Sequence, residues 1–457
     1  MLQKVFLVLF FFSIVFSHSA SEWKQSRVIY QLLTDRFAKT TGNTGSCADL
    51  SNYCGGTFQG IINHLDYIKG MGFNAIWISP IPKNTEGGYH GYWQQDIYEV
   101  NPHFGSADDL TNLIKAAHDK GIWVMGDVVA NHVGNVDMDF AAITPFNTSD
   151  SYHSKCQIVD WNNQWQVENC RLCNLPDLAQ ENAFVKTTLL NWVHDIVQNY
   201  GFDGLRIDTT QEVPKDFWTL YSQSAGVYTV GEIYNGDVGY VAGYQGCIDA
   251  TLSYPLYFTL ISVFANKQSM YQIQSEYEAY ASNFPDMSIL GTFIDNHDQP
   301  RFLDLNGDYT SYKNAIAFVL MAEGIPIIYY GTEQGFAGAS DPNNREDLWR
   351  SGYNENSELY QYIKQINEFR TSSKFDNTQK QIQRYADDNF YAFTRGTVFA
   401  AFTNKGTNGQ VSRLITYHPY SDGTKLCNLF DLSDCFVVNN GQFTINLNGL
   451  PKIYYEV

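Results

Sequence analysis

Three carboxylates each follow a short apolar run in this sequence. Asp208 ends one run, Glu232 ends a second, and Asp298 comes soon after a third at residues 291–294. In a strand, successive side chains alternate between faces, so Arg206 and Asp208 would share one side. A buried carboxylate needs a cation or a polar pocket, and a structural ion pair explains Arg206 and Asp208 when they are taken alone. Three such runs instead indicate that the carboxylates meet at one rim.

Clustered carboxylates suit acid and base chemistry on a neutral, polyhydroxylated substrate. His297 precedes Asp298, and no serine or cysteine motif indicates a different nucleophile. In a retaining glycosidase one carboxylate attacks the anomeric carbon, and a second, held protonated, donates to the leaving oxygen. A third can stabilise the charged transition state. The aromatic content of 15% suits stacking on sugar rings, although core packing explains most of these residues.

The composition is that of a large, acidic, folded protein. The 457 residues are 44% apolar, which is enough for one large core with appended units. A net charge of −19 argues against nucleic acid or an anionic membrane as a partner, because both would repel the chain. We expect a monomer.

The first twenty residues have the layout of a secretory signal peptide. Lys4 precedes an apolar run at 5–16 that is too short to span a bilayer comfortably, and small residues lead to a cut after Ala20. We therefore expect secretion, with a lysosome or digestive vacuole as the alternative destination. The sequon at Asn147 would then be open to glycosylation.

Eight cysteines fit an oxidising compartment. Their spacing favours three local disulfides: Cys47 with Cys54, Cys156 with Cys170, and Cys427 with Cys435. Cys173 and Cys247 remain, either as a long-range pair or as buried thiols.

Strand-like and helix-like segments alternate along the chain. Strands are predicted at residues 28–33, 75–78, 122–129, 202–207, 228–231, 251–254, 290–294 and 325–330. Helices are predicted between Ser106 and Gly121, and at 183–199 and 312–322. This alternation predicts an α/β fold with a parallel sheet, and eight units indicate a closed (β/α)8 TIM barrel. In such barrels the chemistry lies after the carboxyl ends of the strands.

Two segments break the alternation. Residues 133–178 are polar, aromatic and cysteine-bearing, and are predicted to form a lobe inserted after the third strand. Alternating runs after residue 375 predict a C-terminal antiparallel β domain. The predicted plan is a signal peptide at 1–20, a barrel at 21–132 and 179–375, the lobe at 133–178 and the β domain at 376–457.

Four ordered motifs resemble those of the α-amylase family of glycoside hydrolases. They are Asp127-Val128-Val129-Ala130-Asn131-His132, Gly204-Leu205-Arg206-Ile207-Asp208, Gly231-Glu232 and Phe293-Ile294-Asp295-Asn296-His297-Asp298. Segments 89–98 and 341–346 look most like the fungal-type secreted α-amylases. The similarity runs from about residue 23 to about residue 362, and the C-terminal domain resembles the family's only in its β pattern and position.

The resemblance implies a role for each matching residue. Asp208 matches the nucleophile, Glu232 the general acid/base, and Asp298 the carboxylate that stabilises the transition state. Arg206 would orient Asp208 and keep the pKa of that carboxyl low, whereas Glu232 must hold its proton until it reacts. The matching substrate contacts are His90, Tyr92, Trp93, His132, Arg206, Gln211, Glu212, His297, Asp341 and Arg345.

The resemblance also implies a calcium ion between the lobe and the barrel. The matching ligands are Asn131, Glu168, Asp177 and the backbone carbonyl of Glu212, and oxygen donors are what Ca²⁺ requires. Fungal-type enzymes usually carry Lys-His where this chain has Gln211-Glu212. A carbonyl ligand survives that change, so calcium is expected to be retained, but binding on the leaving-group side is expected to be weaker.

The implied activity is that of a secreted, calcium-dependent, endo-acting α-amylase that cleaves internal α-1,4-glucosidic bonds of starch or glycogen with retention. An α-glucosidase, a maltogenic enzyme or a glucanotransferase of the same family is the alternative. A non-catalytic carbohydrate-binding protein is a third interpretation, and the presence of Asp208, Glu232 and Asp298 argues against it.

Overall fold

A computed structural model describes residues 18–42 and 45–457 of the chain. The apolar run of the predicted signal peptide, at 5–16, lies outside the described residues. Within the described ranges, no helix combines the length and the apolar character that crossing a membrane requires.

Eight short parallel strands form the central sheet. They are β1 (Ile29–Gln31), β2 (Ala75–Ile78), β3 (Trp123–Val128), β4 (Gly204–Ile207), β5 (Tyr228–Gly231), β6 (Ala250–Thr251), β7 (Gly291–Thr292) and β8 (Ile325–Tyr329). Neighbours in the chain pair with each other from β1 to β6, and β8 lies between β1 and β7. A parallel bridge between Leu252 and Gly291 joins the edges of β6 and β7. The predicted TIM barrel is confirmed.

The sixth strand ends earlier than predicted. The pattern predicted a strand at 251–254, but β6 stops at Thr251 and Tyr254 begins the helix Tyr254–Leu260. Pro255 lies in the first turn of that helix, where its missing N–H is not needed for hydrogen bonding. Tyr254 is therefore at the start of a helix rather than at the end of a strand.

Helices connect the strands around the barrel. The helix predicted after Ser106 is present, and Ser106 and Asp109 bond reciprocally across its first turn. The α-helices of the described residues are Ala20–Ser26, Thr34–Phe37, Phe58–Asn63, Leu65–Gly70, Ala107–Asp119, Gln164–Asn169, Ala183–Tyr200, Lys215–Ala225, Val238–Ala242, Tyr254–Leu260, Tyr271–Asn283, Phe302–Leu305, Tyr309–Met321 and Glu358–Arg370. The helix predicted at 312–322 is the helix Tyr309–Met321, which begins three residues before the predicted start.

The chain between β3 and β4 contains a long segment with little regular structure. The helix Gln164–Asn169 lies within it, closed off by the disulfide between Cys156 and Cys170. Bridges from Tyr152 to Leu178 and from His132 to Asp177 fold the segment back onto the end of β3. Asn147, the predicted glycosylation site, is exposed. A two-stranded ribbon of Pro82–Asn84 and Gln94–Val100, which was not predicted, pairs with the segment through a bridge from Asp96 to Thr144.

Antiparallel β structure follows the last barrel helix, as predicted. Its strands are β9 (Gln381–Ala386), β10 (Tyr391–Arg395), β11 (Val398–Phe402), β12 (Val411–Ile415), β13 (Lys425–Asn428), β14 (Asp431–Val437), β15 (Phe443–Leu447) and β16 (Lys452–Glu456). Six of them form one sheet, and β12 pairs with β15 in a second. Phe399, Ile415 and Ile445 belong to the apolar core between the sheets.

The three predicted disulfides are present: Cys47 with Cys54, Cys156 with Cys170, and Cys427 with Cys435. Cys173 and Cys247 are free, so the predicted long-range pair is wrong. Cys173 is exposed in the inserted segment and Cys247 is half-buried in a surface groove beside Pro285. The two thiols therefore lie at different sites, and the buried-thiol alternative is wrong for Cys173.

Candidate active site

The three predicted catalytic carboxylates open into one cleft at the carboxyl ends of the barrel strands. Asp208 follows β4, Glu232 follows β5, and Asp298 lies in the loop after β7. The cleft encloses about 500 Å³. Of the predicted substrate contacts, it is lined by His90, Tyr92, Trp93, His132, Gln211, Glu212, His297, Asp341 and Arg345. The remaining one, Arg206, is fully buried.

Arg206 joins three carboxylates. Its Nη1 lies 2.7 Å from Asp208 Oδ1 and 3.0 Å from Asp127 Oδ1, and its Nη2 lies 2.7 Å from Glu232 Oε2. One positive charge thus faces three carboxylates in a buried site of low dielectric constant. It cannot balance the charge of all three if they are ionised.

The net effect on Asp208 is opposite to the predicted one. Burial raises the pKa of Asp208 well above its usual range, and the negative charges of Glu232 and Asp127 add to this effect. Arg206 acts in the predicted direction and lowers that pKa, but desolvation outweighs it. The prediction of a low pKa for the Asp208 carboxyl is therefore wrong.

Glu232 is held at both carboxylate oxygens. Oε2 accepts the N–H of Thr209 at 3.1 Å besides its contact with Arg206, and Oε1 accepts the Tyr254 hydroxyl at 3.2 Å. The Tyr254 oxygen in turn accepts a bond from Asn296 Nδ2 at 2.9 Å. These bonds fix the plane of the Glu232 carboxyl group between β5 and the loop after β7.

His297 is a neutral hydrogen-bonding group at the floor of the cleft. Gln31 Nε2 lies 2.7 Å from His297 Nδ1, and the Tyr92 hydroxyl lies 2.7 Å from His297 Nε2. With Gln31 donating, the ring proton is on Nε2 and points to Tyr92, whose own hydroxyl donates to Asp127 at 2.8 Å. Burial lowers the pKa of His297 well below its usual value, and the charge of Arg206 adds to this.

Two other histidines of the cleft are also kept neutral. Burial lowers the pKa of His132 to about 4 and that of His90 well below its usual value. His90 Nδ1 accepts the N–H of Tyr92 at 3.0 Å, so its Nε2–H is left for a sugar hydroxyl. His132 Nε2 donates to the Tyr92 carbonyl oxygen at 3.1 Å.

One wall of the cleft, which we call the Asp298 side, consists of Asp298, Asp341 and Arg345. Arg345 Nη2 lies 3.3 Å from Asp298 Oδ1, and Nη1 lies 3.1 Å from Asp341 Oδ1. Arg345 also donates through Nε to the carbonyl of His297 at 2.9 Å. Ion pairs therefore hold this wall together.

A second group of cleft-lining residues, which we call the Glu232 side, consists of Trp161, Gln211, Glu212 and Tyr234. The N–H of Thr210 donates to the Glu232 carbonyl at 2.9 Å, so the turn Thr210–Glu212 lies against Glu232. Gln211 Nε2 donates to Glu212 Oε1 at 3.0 Å. Among the described residues that line this side, there is no lysine or arginine.

Sequence reasoning did not identify several residues that line the cleft. They are Trp161, Leu172, Cys173, Leu175, Thr209, Tyr234, Tyr254 and Gln299. A tryptophan within the polar run 160–164 was the one signal that could have pointed to Trp161. No pattern marked Tyr254, which is 22 residues from Glu232 in the chain.

Comparison with known proteins agrees with this geometry. The family described as the catalytic domain of α-amylase matches residues 31–414. The chain belongs to the α-amylase family. Alpha-amylase 2 of Schwanniomyces occidentalis is 39% identical, with 96% of this chain and 91% of the relative covered. The alpha-amylase of Saccharomycopsis fibuligera is 40% identical, with 95% and 92% covered.

A solved structure extends the likeness to α-amylases to three dimensions. The α-amylase of Malbranchea cinnamomea superposes with a TM-score of 0.92 at 38% identity, covering 96% of this chain and 97% of that one. This chain is thus an α-amylase family glycoside hydrolase over the barrel and the C-terminal sheets together.

Three of the four calcium ligands expected from the α-amylase family converge. Asn131 Oδ1 lies 2.9 Å from Asp177 Oδ1 and 3.2 Å from the Glu212 carbonyl oxygen. Oxygens this close need a cation among them, or a turned Asn131 amide that donates its N–H₂ to both. The donor set fits a hard cation. Glu168 instead accepts a bond from Gln164 at 2.8 Å, and no three His, Cys, Asp or Glu of the described ranges form a metal-ligand group.

A larger groove of about 720 Å³ lies between the helix Glu358–Arg370 and the C-terminal sheets. Its three lysines each pair with a carboxylate: Lys313 with Glu358, Lys364 with Glu368, and Lys452 with Asp434. No arginine joins several carboxylates in this groove among the described residues, in contrast to Arg206 in the smaller cleft.

Proposed function

We propose that this chain is a secreted, calcium-dependent, endo-acting α-amylase that hydrolyses internal α-1,4-glucosidic bonds of starch or glycogen with retention of configuration. The observation that carries this proposal is the convergence of Asp208, Glu232 and Asp298 on one cleft, with Arg206 bonded to the first two. It acts as a monomer on a neutral polymer.

In the first step, an Asp208 oxygen attacks the anomeric carbon while Glu232 gives its proton to the glycosidic oxygen. The carbon–oxygen bond to the leaving chain breaks, and a glycosyl ester of Asp208 forms. In the second step, Glu232 takes a proton from water, and the water oxygen displaces Asp208 from the anomeric carbon. Two inversions give net retention.

The surrounding groups prepare each carboxylate for its part. Arg206 fixes the Asp208 oxygen that it contacts, and Tyr254 and Thr209 fix the Glu232 carboxyl. Because the cluster carries more negative charge than Arg206 can balance, it retains a proton at a pH at which isolated carboxylates have lost theirs. The first step requires this proton to be on Glu232 and absent from Asp208.

Asp298 accepts hydrogen bonds from hydroxyl groups of the reacting sugar. It also stabilises the positive charge that develops on the sugar ring. Arg345 holds Asp298 in place, and the neutral His297 places Nε2 3.2 Å from Asp298 Oδ2. The stacked rings of Tyr92 and His297 support the floor beneath the same sugar.

Asn131, Asp177 and the Glu212 carbonyl would hold the calcium ion, and Glu168 would complete the set only after leaving Gln164. When bound, the ion would supply a crosslink between the inserted segment and the barrel. The apolar run at 5–16, the exposed Asn147 and the disulfides support export of the chain.

The test is digestion of soluble starch by the purified protein beside Glu232→Gln, with products sized over time and EDTA in a parallel reaction. We expect the wild type to shorten the starch chains rapidly and to release α-configured oligosaccharides. The rate of hydrolysis should be at least about 10³-fold lower in the variant, and EDTA should lower the rate of the wild type. Release of glucose or maltose alone, or growth of longer chains, would favour the family alternatives. No turnover by the wild type would refute the proposal.

A further inference from the structure

The segment before β1 packs against the amino ends of the barrel strands, away from the cleft. Trp23, in the helix Ala20–Ser26, is fully buried, and its indole N–H donates to the Asp203 carbonyl at 3.1 Å. Asp203 comes just before β4. The first residue of β4 is Gly204, where a Cβ would lie 2.8 Å from the Trp23 ring. The position of this helix is therefore fixed by the start of a barrel strand.

His18, two residues before that helix, is packed into the same end of the barrel. Its ring stacks on Trp123, the first residue of β3, with the ring centroids 3.7 Å apart. Its Nε2 lies 3.5 Å from Asp203 Oδ1, and 20% of its side chain is exposed. Its carbonyl oxygen accepts the N–H of Tyr228, the first residue of β5, at 3.2 Å. Side chain and backbone of His18 thus both contact the barrel.

Ser19 holds the first turn of the helix. Its carbonyl oxygen accepts the N–H groups of Glu22 and Trp23 at 3.0 and 3.2 Å, and its own N–H donates to Glu22 Oε2 at 2.8 Å. The cut predicted after Ala20 would remove the contacts of both His18 and Ser19. It would also leave a new α-ammonium group at Ser21, inside the first turn, where the positive end of the helix dipole disfavours a cation.

We propose that signal peptidase cuts between Ser17 and His18, so that the exported enzyme begins at His18. The inference rests on export, which is part of the proposed function. Ser17 supplies the small side chain that such a cut requires just before the bond, and the apolar residues 5–12 supply the hydrophobic region. Water adds to the Ser17 carbonyl carbon and the C–N bond breaks. The water oxygen stays on Ser17 as a carboxylate, and both water protons end on the His18 nitrogen, which becomes an α-ammonium group.

Export of the full chain from a yeast host tests the position of the cut. Protein from the medium is digested with trypsin, and its N-terminal peptide is identified by mass. We expect the peptide 18–24 from the wild type, and a peptide with the same start from Ala20→Gln. Ser17→Gln should not yield it, because a large side chain directly before the bond is rejected. A wild-type peptide that begins at Ser21, or a start at His18 that is lost in Ala20→Gln, would overturn the proposal.

A second measurement tests the physical reason without export. Proteins that begin at His18 and at Ser21 are released from a fusion partner by a protease that leaves no extra residue. The protein that begins at Ser21 should unfold about 2–4 °C lower. In the longer protein, His18→Ala should reproduce part of that loss, whereas Gln25→Ala, exposed in the same helix, should match the parent. Equal unfolding temperatures would show that the contacts of His18 and Ser19 do not stabilise the fold, which overturns the inference.

The two proposals fail in different ways. A chain that the host does not export refutes the secretion in the proposed function, and a protein that begins at His18 and does not hydrolyse starch refutes the activity. An exported, active enzyme that begins at Ser21 refutes only the inference about the cut.

Discussion

The two sides of the cleft are built from different interactions. On the Asp298 side, Arg345 pairs with both Asp298 and Asp341, so charges fix the positions of the polar groups. On the Glu232 side, the cleft is lined by the exposed Trp161, the uncharged amide of Gln211 and the carboxyl group of Glu212. Ion pairs fix the direction of each hydroxyl, whereas an aromatic face fixes only the plane of a ring. Under the proposed function, this difference would hold one sugar firmly and let the departing chain vary.

The largest effect is expected from breaking the Asp298 side. Amylose places glucose units on both sides of the scissile bond, whereas α-maltotriosyl fluoride has only fluoride on the leaving side. Arg345→Gln leaves Asp298 without its cation, and kcat/KM should fall about 10²- to 10³-fold on both substrates. Steady-state rates on the two substrates measure this. Arg350→Gln is the control, since Arg350 pairs with Asp347 and does not line the cleft. A loss confined to amylose would show that Arg345 acts on the other side.

A smaller loss of activity is expected from removing a hydrogen bond to Glu232 itself. Tyr254→Phe removes the hydroxyl bonded to Glu232, and kcat should fall about 10-fold with little change in KM. The substitution also removes a hydrogen bond to the carboxyl group that donates the proton, so the pH dependence of kcat should shift. A purely structural defect would not shift it. Tyr257→Phe, in the same helix and stacked on Phe293, should match wild type.

Adding charge to the Glu232 side should make the two sides more alike. Gln211→Lys combined with Glu212→His should lower KM for amylose about 3-fold, because a cation then binds the departing sugars. The rate on α-maltotriosyl fluoride should not change. An unchanged KM and an unchanged product pattern on amylose would show that the missing cation has no influence on binding there.

The smallest effect concerns the thiol of Cys173, which also lines the cleft. Partial desolvation and the negative charge of Glu212 raise the pKa of Cys173, so its thiolate becomes abundant only above the usual thiol pKa. Alkylation by a maleimide should therefore be slow at pH 7 and accelerate as pH rises, and the adduct should lower amylose turnover about 2-fold. If maleimide no longer lowers amylose turnover in Cys173→Ser, in which Cys247 is still present, the effect is due to alkylation of Cys173. Equal rates of alkylation at pH 7 and pH 9 would contradict this.

The barrel and the meeting of Asp208, Glu232 and Asp298 in one cleft could be predicted because each depends on local sequence. Asp208 and Glu232 directly follow buried strands, and the carboxyl ends of parallel strands meet at one end of a barrel. The short disulfides followed from spacing in the same way.

Other features depend on distances between remote parts of the chain. Tyr254 reaches Glu232 because β6 is only two residues long and a helix begins at once, which the apolar pattern did not reveal. The direction of the Asp208 pKa shift depends on how many carboxylates share Arg206 and on how deeply Asp208 is buried. Neither quantity is visible from the motif around Asp208.

The closure of the barrel has a consequence for heat inactivation. The strands β6 and β7 have two residues each, and one parallel bridge from Leu252 to Gly291 connects them, whereas β2 and β3 pair at four positions. Backbone amides at this seam should exchange with solvent sooner than those of β2 and β3, because local opening there breaks fewer bonds. Glu232 precedes the seam and Asp298 follows it in the chain. A transient opening there would separate the two carboxylates, so turnover would fail at a temperature at which most of the barrel is still folded.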